Sequence, residues 1–288
     1  TSVFTFDLSR HLPAILTDLA KLTLSSRQAT LLKQVSALAD AKIWVTYPDA
    51  NAIGIQHPTN HILNVWFEMA SYYEAFALSD ITWAHCFGFD NTFHYLFFMG
   101  SLLNALEKKA KLPDYIICNE FLLWDEAKFS TSRQHAIWAD EIYEDTEYLR
   151  FFLCLYRAQE NEMNFSWQVF HDFYKTFKTQ IQQLVSRAQQ RFNKSVSKKT
   201  LIQCNRLTRD MEAHLSLENV SLRQAARLIL NVVDDCSHKP AADEDGLWLH
   251  WLGQHLAPFM PEISRQLLNE LSIVTPWIND WGQYYVVV

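Results

Sequence analysis

Turn residues are scarce in this chain, with six glycines and eight prolines among 288 residues. So small a supply argues against a sandwich or barrel and favours long helices joined by few connections. The five cysteines (Cys86, Cys118, Cys154, Cys204, Cys236) are odd in number and lie far apart. No secreted disulfide framework follows, and no two have zinc-ligand spacing, so no zinc site is expected. Reduced, mostly buried thiols in a cytoplasmic protein are the expectation. No apolar run approaches the roughly 20 residues that span a bilayer, so no membrane association is expected. A signal peptide is also lacking. The sequence opens at Thr1 on an apolar stretch (Val3, Phe4, Phe6), which reads as a cut inside a longer protein.

What is present can build a core: 49% of residues are apolar and 14% aromatic. Net charge is −7, which as a whole argues against nucleic acid. Its distribution argues otherwise. From Lys175 to Arg209 nine basic residues occur without one Asp or Glu, which leaves −16 for the rest of the chain. A segment this one-sided makes the local positive field that a phosphate backbone needs.

Two halves read differently. Residues 1–145 mix helical patterns with short apolar runs that suit buried strands: Lys42–Val45, Ile62–Phe67, Trp83–Gly88 and Tyr115–Cys118. Alternation with helices favours a parallel sheet covered on its faces. Residues 146–288 read as a helical bundle. Val169, Phe173, Phe177, Ile181, Leu184, Ala188 and Phe192 form one apolar stripe, predicting a helix of about seven turns. Ser221 and Gln224 form a capping-box pattern for the next helix, whose stripe runs Leu222, Ala225, Ile229 and Val232. Pro240 ends it, another helix is expected from Leu247, and Pro258 and Pro261 break that one. The Trp277, Trp281, Tyr284 and Tyr285 cluster reads as packing. The fold class expected is α/β, then all-α.

One segment carries chemistry. Lys128-Phe129-Ser130-Thr131-Ser132-Arg133 is a lysine- and hydroxyl-rich loop, suited to developing negative charge on phosphate. It resembles the KMSKS signature of class I aminoacyl-tRNA synthetases. Around it lie Tyr115-Ile-Ile-Cys-Asn-Glu-Phe121, Tyr148-Leu-Arg-Phe-Phe-Leu153 and Asn164-Phe-Ser-Trp167, in the order found in methionyl-tRNA synthetases. Asn64-Val-Trp-Phe-Glu-Met-Ala-Ser-Tyr-Tyr73 is similar to that family's "YVWFDAPIGY", and Phe87-Gly-Phe-Asp-Asn91 to its "GKDN". The resemblance covers roughly Phe4 to Leu271. It implies the C-terminal half of a Rossmann-like synthetase core followed by an anticodon-binding-like helical domain.

The resemblance also implies roles. Trp66, Met69, Ala70, Tyr73 and Tyr95 would line the pocket for an apolar amino acid. Gly88 and Asp90 would approach the ATP ribose, and Asp90 would also cap a helix beginning near Asn91. Lys128, Ser130, Thr131 and Ser132 would hold the triphosphate of ATP, which enters with Mg2+. Gln183, Arg187 and Arg191 would contact tRNA, with Arg187, Arg191, Lys194 and Lys198 sharing one face if their helix continues.

Departures from the family pattern matter as much. Thr131 replaces the second lysine of the signature. The family's pocket histidine falls opposite Tyr95, with His94 one position away, an offset of about 100° on an α-helix. In Val233-Asp-Asp-Cys-Ser-His-Lys239, His238-Lys239 replaces the Pro-Trp whose indole would stack on a base. The HIGH signature is absent, because His61-Ile-Leu-Asn64 precedes a late strand of the catalytic fold. This chain would therefore need an N-terminal half as partner and would not form an adenylate alone. His85, Cys86 and Cys118 read as buried strand residues. Three functions are compatible with these residues: activation of an amino acid and its transfer to tRNA, activation for a non-tRNA acceptor, and a non-catalytic tRNA-binding module.

Overall fold

The computed structural model describes residues 3–48, 53–77, 82–106, 112–142, 145–190, 197–240 and 244–272. The chain divides into two compact units, Thr1–Phe121 and Leu122–Val288.

The first unit is α/β. Its elements are β1 (Thr5–Asp7), α1 (Leu8–His11), α2 (Leu16–Leu19), α3 (Ser26–Ser36), β2 (Lys42–Trp44), β3 (Thr46–Tyr47), β4 (Gln56–His57) and β5 (His61–Leu63). There follow α4 (Val65–Glu68), α5 (Ala70–Ala77), β6 (Ala84–Gly88), α6 (Met99–Ala105) and β7 (Tyr115–Asn119). Among the described residues of this unit, parallel pairing is confined to β6 and β7, in register from Ala84↔Tyr115 to Gly88↔Asn119. The helical crossover between them covers the pair, as parallel strands require. The remaining pairs, β1 with β2 and β5 with β3 and β4, are antiparallel, so the expected single parallel sheet is only partly realised.

The strand expected over Ile62–Phe67 stops at Leu63, and the cause is Asn64. Its carboxamide oxygen accepts from Trp66 N at 3.1 Å, capping α4, while Nδ2 donates to Trp44 O at 2.8 Å and Tyr47 Oη at 3.1 Å. A buried asparagine thus ends a strand and starts a helix within one residue. Ser25 and Gln28 form a complete capping box on α3, a signal the sequence reading passed over.

The second unit opens with β8 (Leu122–Trp124) and β9 (Ala127–Lys128), then α7 (Thr146–Leu155) and β10 (Met163–Phe165). Five helices complete it: α8 (Trp167–Gln190), α9 (Lys198–Leu215), α10 (Leu222–His238), α11 (Asp245–Leu256) and α12 (Pro261–Ser272). The change of domain expected at 145/146 falls inside this unit, because β8 pairs in parallel with β10, tying residues 122–124 to 163–165.

The long helix forms as its stripe dictates, with Phe170, Phe177, Ile181, Leu184 and Ala188 buried. Val169 is 43% exposed, and Phe170 takes its place in the core. Phe192 lies outside the described residues, as does the 277–285 aromatic cluster. Phe151 and Phe177 stack with centroids 5.0 Å apart, and Phe259 meets Phe151 edge-on at 5.8 Å. Each fully buried phenylalanine contributes roughly 1.5–3 kcal/mol, so this aromatic centre is a substantial part of the unit's cohesion.

Helix ends follow the sequence with adjustments. Ser221 accepts from Gln224 N at 3.3 Å and caps α10, but the expected capping box is half realised, because Ser221 N donates to His214 O at 2.8 Å instead. The helix expected from Leu247 begins at Asp245, ends at Leu256, and α12 starts on Pro261. Glu147 caps α12 from a distance: its two carboxylate oxygens accept from Glu262 N at 2.7 Å and Ile263 N at 2.9 Å. Only Cys204 and Cys236 are buried; Cys118 and Cys154 are half-buried and Cys86 is exposed, against the expectation of mostly buried thiols. No helix among the described residues is long and apolar enough to cross a membrane.

Candidate functional site

In the first unit, the five residues expected to line an amino-acid pocket pack into one cluster. Ala70 and Tyr73 are buried there, and Trp66, Met69 and Tyr95 pack against them. α4 supplies Trp66, α5 supplies Ala70 and Tyr73, and Met69 is the residue that joins them. Tyr95 comes from Phe93–Phe98, which is a π-helix rather than the α-helix expected.

That change of helix type alters the outcome at His94. A π-segment advances less than 100° per residue, so adjacent side chains diverge less. Both His94 and Tyr95 meet Trp66. The His94 ring stacks on the indole with centroids 4.0 Å apart and planes 8° from parallel, while Tyr95 stands edge-on at 5.4 Å. The offset of one position thus leaves His94 against Trp66, beside Tyr95.

A polar network backs this wall. Tyr73 Oη donates to the Tyr95 carbonyl at 3.0 Å and lies 3.4 Å from His85 Nδ1. Burial pushes the Tyr73 phenol upward, keeping it protonated. Burial lowers the His85 imidazole, and lowers His94 against a smaller opposing pull from Asp90. Both imidazoles are therefore neutral near pH 7. His94 Nδ1 is buried with no hydrogen-bond partner. His85, expected as an inert strand residue, is half-buried and within reach of the Tyr73 phenol, and the sequence held no signal for that pairing.

β6 delivers Gly88 and Asp90 to the end of the parallel pair. A Cβ on Gly88 would lie 2.8 Å from Asp90 Oδ1, so the glycine makes room for that carboxylate. Asp90 sits inside the 3-10 turn Phe89–Asn91 and forms no cap, which corrects the expected N-cap role. The turn is braced by Arg27, whose guanidinium lies 4.1 Å over the Phe89 ring and pairs with the buried Glu120.

The lysine- and hydroxyl-rich loop belongs to the second unit. β8 and β9 form a hairpin through Asp125 (φ 47°) and Glu126 (φ 62°), both left-handed as a tight two-residue turn demands. Ser130 and His135 then close the loop with paired backbone bonds of 2.7 and 2.9 Å. His135 anchors it: its ring stacks on Trp124 at 4.6 Å and its Nε2 lies 2.8 Å from Trp124 O. Ser130 and Ser132 hydroxyls are 3.2 Å apart, and Lys128, Thr131 and Ser132 are exposed. The sequence reading found the loop and missed His135, which holds its base.

Among the helices, Gln183 and Arg187 do share a groove. A hollow of about 510 Å3 is lined by Thr179, Gln182, Gln183, Ser186, Arg187, Ser237 and Lys239, without a carboxylate. The Arg187 guanidinium, however, turns inward. It donates to both oxygens of Asp245 at 3.0 Å and to Cys236 O at 2.7 Å. Lys198 begins α9 behind an N-cap at Ser197, so it does not continue the face of Arg187. Arg191 and Lys194 lie outside the described residues. Among the described residues no group of three or more His, Cys, Asp or Glu could hold a metal ion.

Comparison with known proteins agrees with this architecture. Residues 42–192 match the model of the tRNA synthetases class I (M). A methionine–tRNA ligase of Saccharolobus islandicus is 35% identical over 103 residues, which are 35% of this chain and 18% of that protein. One from Saccharolobus solfataricus is 40% identical over 83 residues, 28% of this chain and 14% of that ligase. The matched segments thus span less than a fifth of these relatives' length. The crystal structure of Mycobacterium tuberculosis methionyl-tRNA synthetase bound by methionyl-adenylate superposes with a TM-score of 0.73 at 15% identity. It covers 93% of this chain and 62% of that one. The likeness in structure establishes the fold: late strands of a Rossmann-like core followed by a helical bundle. With the family model matching more than half of its residues, the chain belongs to the class I tRNA synthetases of type M.

Proposed function

We propose that the complete protein containing this chain activates an amino acid with ATP and transfers it to tRNA. The observation that carries this reading is the convergence of Trp66, Met69, Ala70, Tyr73 and Tyr95 in one cluster. In this reading residues 1–145 are the C-terminal half of the catalytic domain and 146–288 the anticodon-binding-like domain. An N-terminal half supplies the remaining contacts to ATP.

The chemistry follows from the residue types. A carboxylate oxygen of the amino acid attacks the α-phosphorus of ATP, and pyrophosphate leaves. Trp66, Met69, Ala70, Tyr73 and Tyr95 hold the side chain by apolar contact. Asp90 accepts from ribose hydroxyls where Gly88 permits close approach. Lys128, Ser130, Thr131 and Ser132 donate to the triphosphate, whose charge Mg2+ shares; the exposed hydroxyls and ammonium suit that task. A tRNA hydroxyl then attacks the activated carbonyl carbon and AMP leaves.

A second reading is favoured by two observations: Arg187 spends its donors on Asp245, Cys236 and Pro240, and Lys239 stands where a stacking indole would. Under it the adenylate goes to an acceptor other than tRNA. ATP–pyrophosphate exchange by the complete protein, across twenty amino acids with and without bulk tRNA, tests both. Exchange with label appearing on tRNA supports the first reading, and exchange without such label supports the second. Absence of exchange with every amino acid refutes both and leaves a binding module.

A further inference from the structure

We propose that His94 sets which amino acid this pocket accepts, its Nδ1 hydrogen-bonding an uncharged polar group on the substrate's side chain. The inference rests on the reading that the Trp66–Tyr95 cluster holds the amino acid.

Geometry limits what His94 can be for. Its ring is fixed by the Trp66 indole, 4.0 Å away and 8° from parallel, so the imidazole cannot swing away without breaking that stack. Its Nδ1 is buried and unpartnered. Buried polar atoms are satisfied with few exceptions, and each exception calls for an explanation such as strain, a catalytic role or a bound water or ion. The neighbouring Tyr73 hydroxyl does not serve it, because it donates to the Tyr95 carbonyl and faces His85 Nδ1. The residues that deliver His94 lie in a π-helical segment, a conformation frequent at functional sites.

The class of substrate follows from the same atoms. Trp66, Met69, Ala70 and Tyr73 accept an apolar stem. A neutral imidazole pairs with a hydroxyl or carboxamide, either of which can donate or accept. A carboxylate would enter this wall with only the Asp90 carboxylate's charge nearby, at a large desolvation cost. A thioether offers only a weak acceptor. The structure therefore assigns the pocket to a neutral side chain with an apolar stem and a hydroxyl or carboxamide end, in preference to methionine.

The test uses the complete protein, its His94→Phe variant, which keeps a stacking ring without the nitrogen, and His94→Asn, which keeps a polar atom near the Nδ1 position. Glutamine, threonine and homoserine are compared with methionine, leucine and norleucine, by ligand-induced thermal shift and by ATP–pyrophosphate exchange. The wild type is expected to favour at least one polar member over methionine by about tenfold or more in kcat/KM. His94→Phe should erase that ratio while the unliganded Tm holds or rises. His94→Asn should preserve the rank order with weaker binding, which a merely packing role would not produce. Preference for methionine by the wild type, or an unchanged ratio in His94→Phe, overturns the proposal. Stabilisation by polar amino acids without exchange sustains the pocket assignment and removes the activation reading. Neither stabilisation nor exchange with any amino acid removes both.

Discussion

Arg187 and Asp245 grip each other through two parallel hydrogen bonds, Nε to Oδ2 and Nη2 to Oδ1, each 3.0 Å long. The carboxylate side chain is 5% exposed and the guanidinium side chain 19%. This fork ties α8 to the start of α11, and the bond to Cys236 O ties in α10 as well. Removing one member strands a buried charge, which costs about 3–5 kcal/mol. Arg187→Ala should therefore lower the urea midpoint markedly, and Arg187→Met with Asp245→Leu should recover much of the loss. An Arg187→Ala protein of unchanged stability would show that the fork is incidental.

Glu147 spans from α7 to the first free N–H groups of α12, meeting two of them with its two oxygens. Such a cap contributes about 1–2 kcal/mol. Glu147→Ala should show that loss in equilibrium unfolding, and Glu147→Gln, with one acceptor left, roughly half of it. Hydrogen exchange at Glu262 and Ile263 should quicken in both variants.

His255 on α11 stacks on Trp251 at 4.2 Å, with Nδ1 2.7 Å from Trp251 O. Burial pushes its imidazole from 6.5 down to about 4, against the opposing pull of that hydrogen bond. The folded value lies below the unfolded one, so the unfolded chain takes up the proton first as pH falls. The stabilisation is complete above about pH 6.5 and is lost towards about pH 4, amounting to roughly 3 kcal/mol at most. Urea midpoints at about pH 7.5 and about pH 5 should diverge more for the wild type than for His255→Gln. Equal divergence would assign the acid sensitivity to other groups.

The order of motifs was legible because each is local: the loop at 128–133, the turn at 88–90 and the stripe of α8 are runs of adjacent or helically spaced residues. The partners of those motifs were not. Asp245 meets Arg187 across 58 residues, and Glu147 reaches Glu262 across 115. Nothing in periodicity marks such pairs. Local chemistry also overrode pattern at Asn64, where one carboxamide converted an apolar run from strand to helix. The π-segment escaped for a similar reason, since a run of apolar and aromatic residues reads alike at either helical pitch.

Thr131 stands in an exposed loop closed by Ser130 and His135. If the loop holds the triphosphate as proposed, a cation there would add a donor to it without disturbing buried groups. Thr131→Lys in the complete protein should raise the exchange rate, by up to about 10²–10³ if the donor acts only on the transition state. A rate unchanged or lowered would mean that the hydroxyl is the better fit for this loop.

A π-helical stretch is an α-helix carrying one residue more than its path needs. Between Phe93 and Phe98 that surplus sits in wider hydrogen-bonded rings, between β6 upstream and α6 downstream. Loss of a single codon there would let the stretch relax to α pitch with its ends still joined. The side chains on either side of the deletion would then keep their faces, because only the surplus residue is lost. Loss of one of the two rings now against Trp66, His94 or Tyr95, can thus change what faces that indole by a change of length alone. Such a wall can be re-cut in one step, with every residue type retained but one.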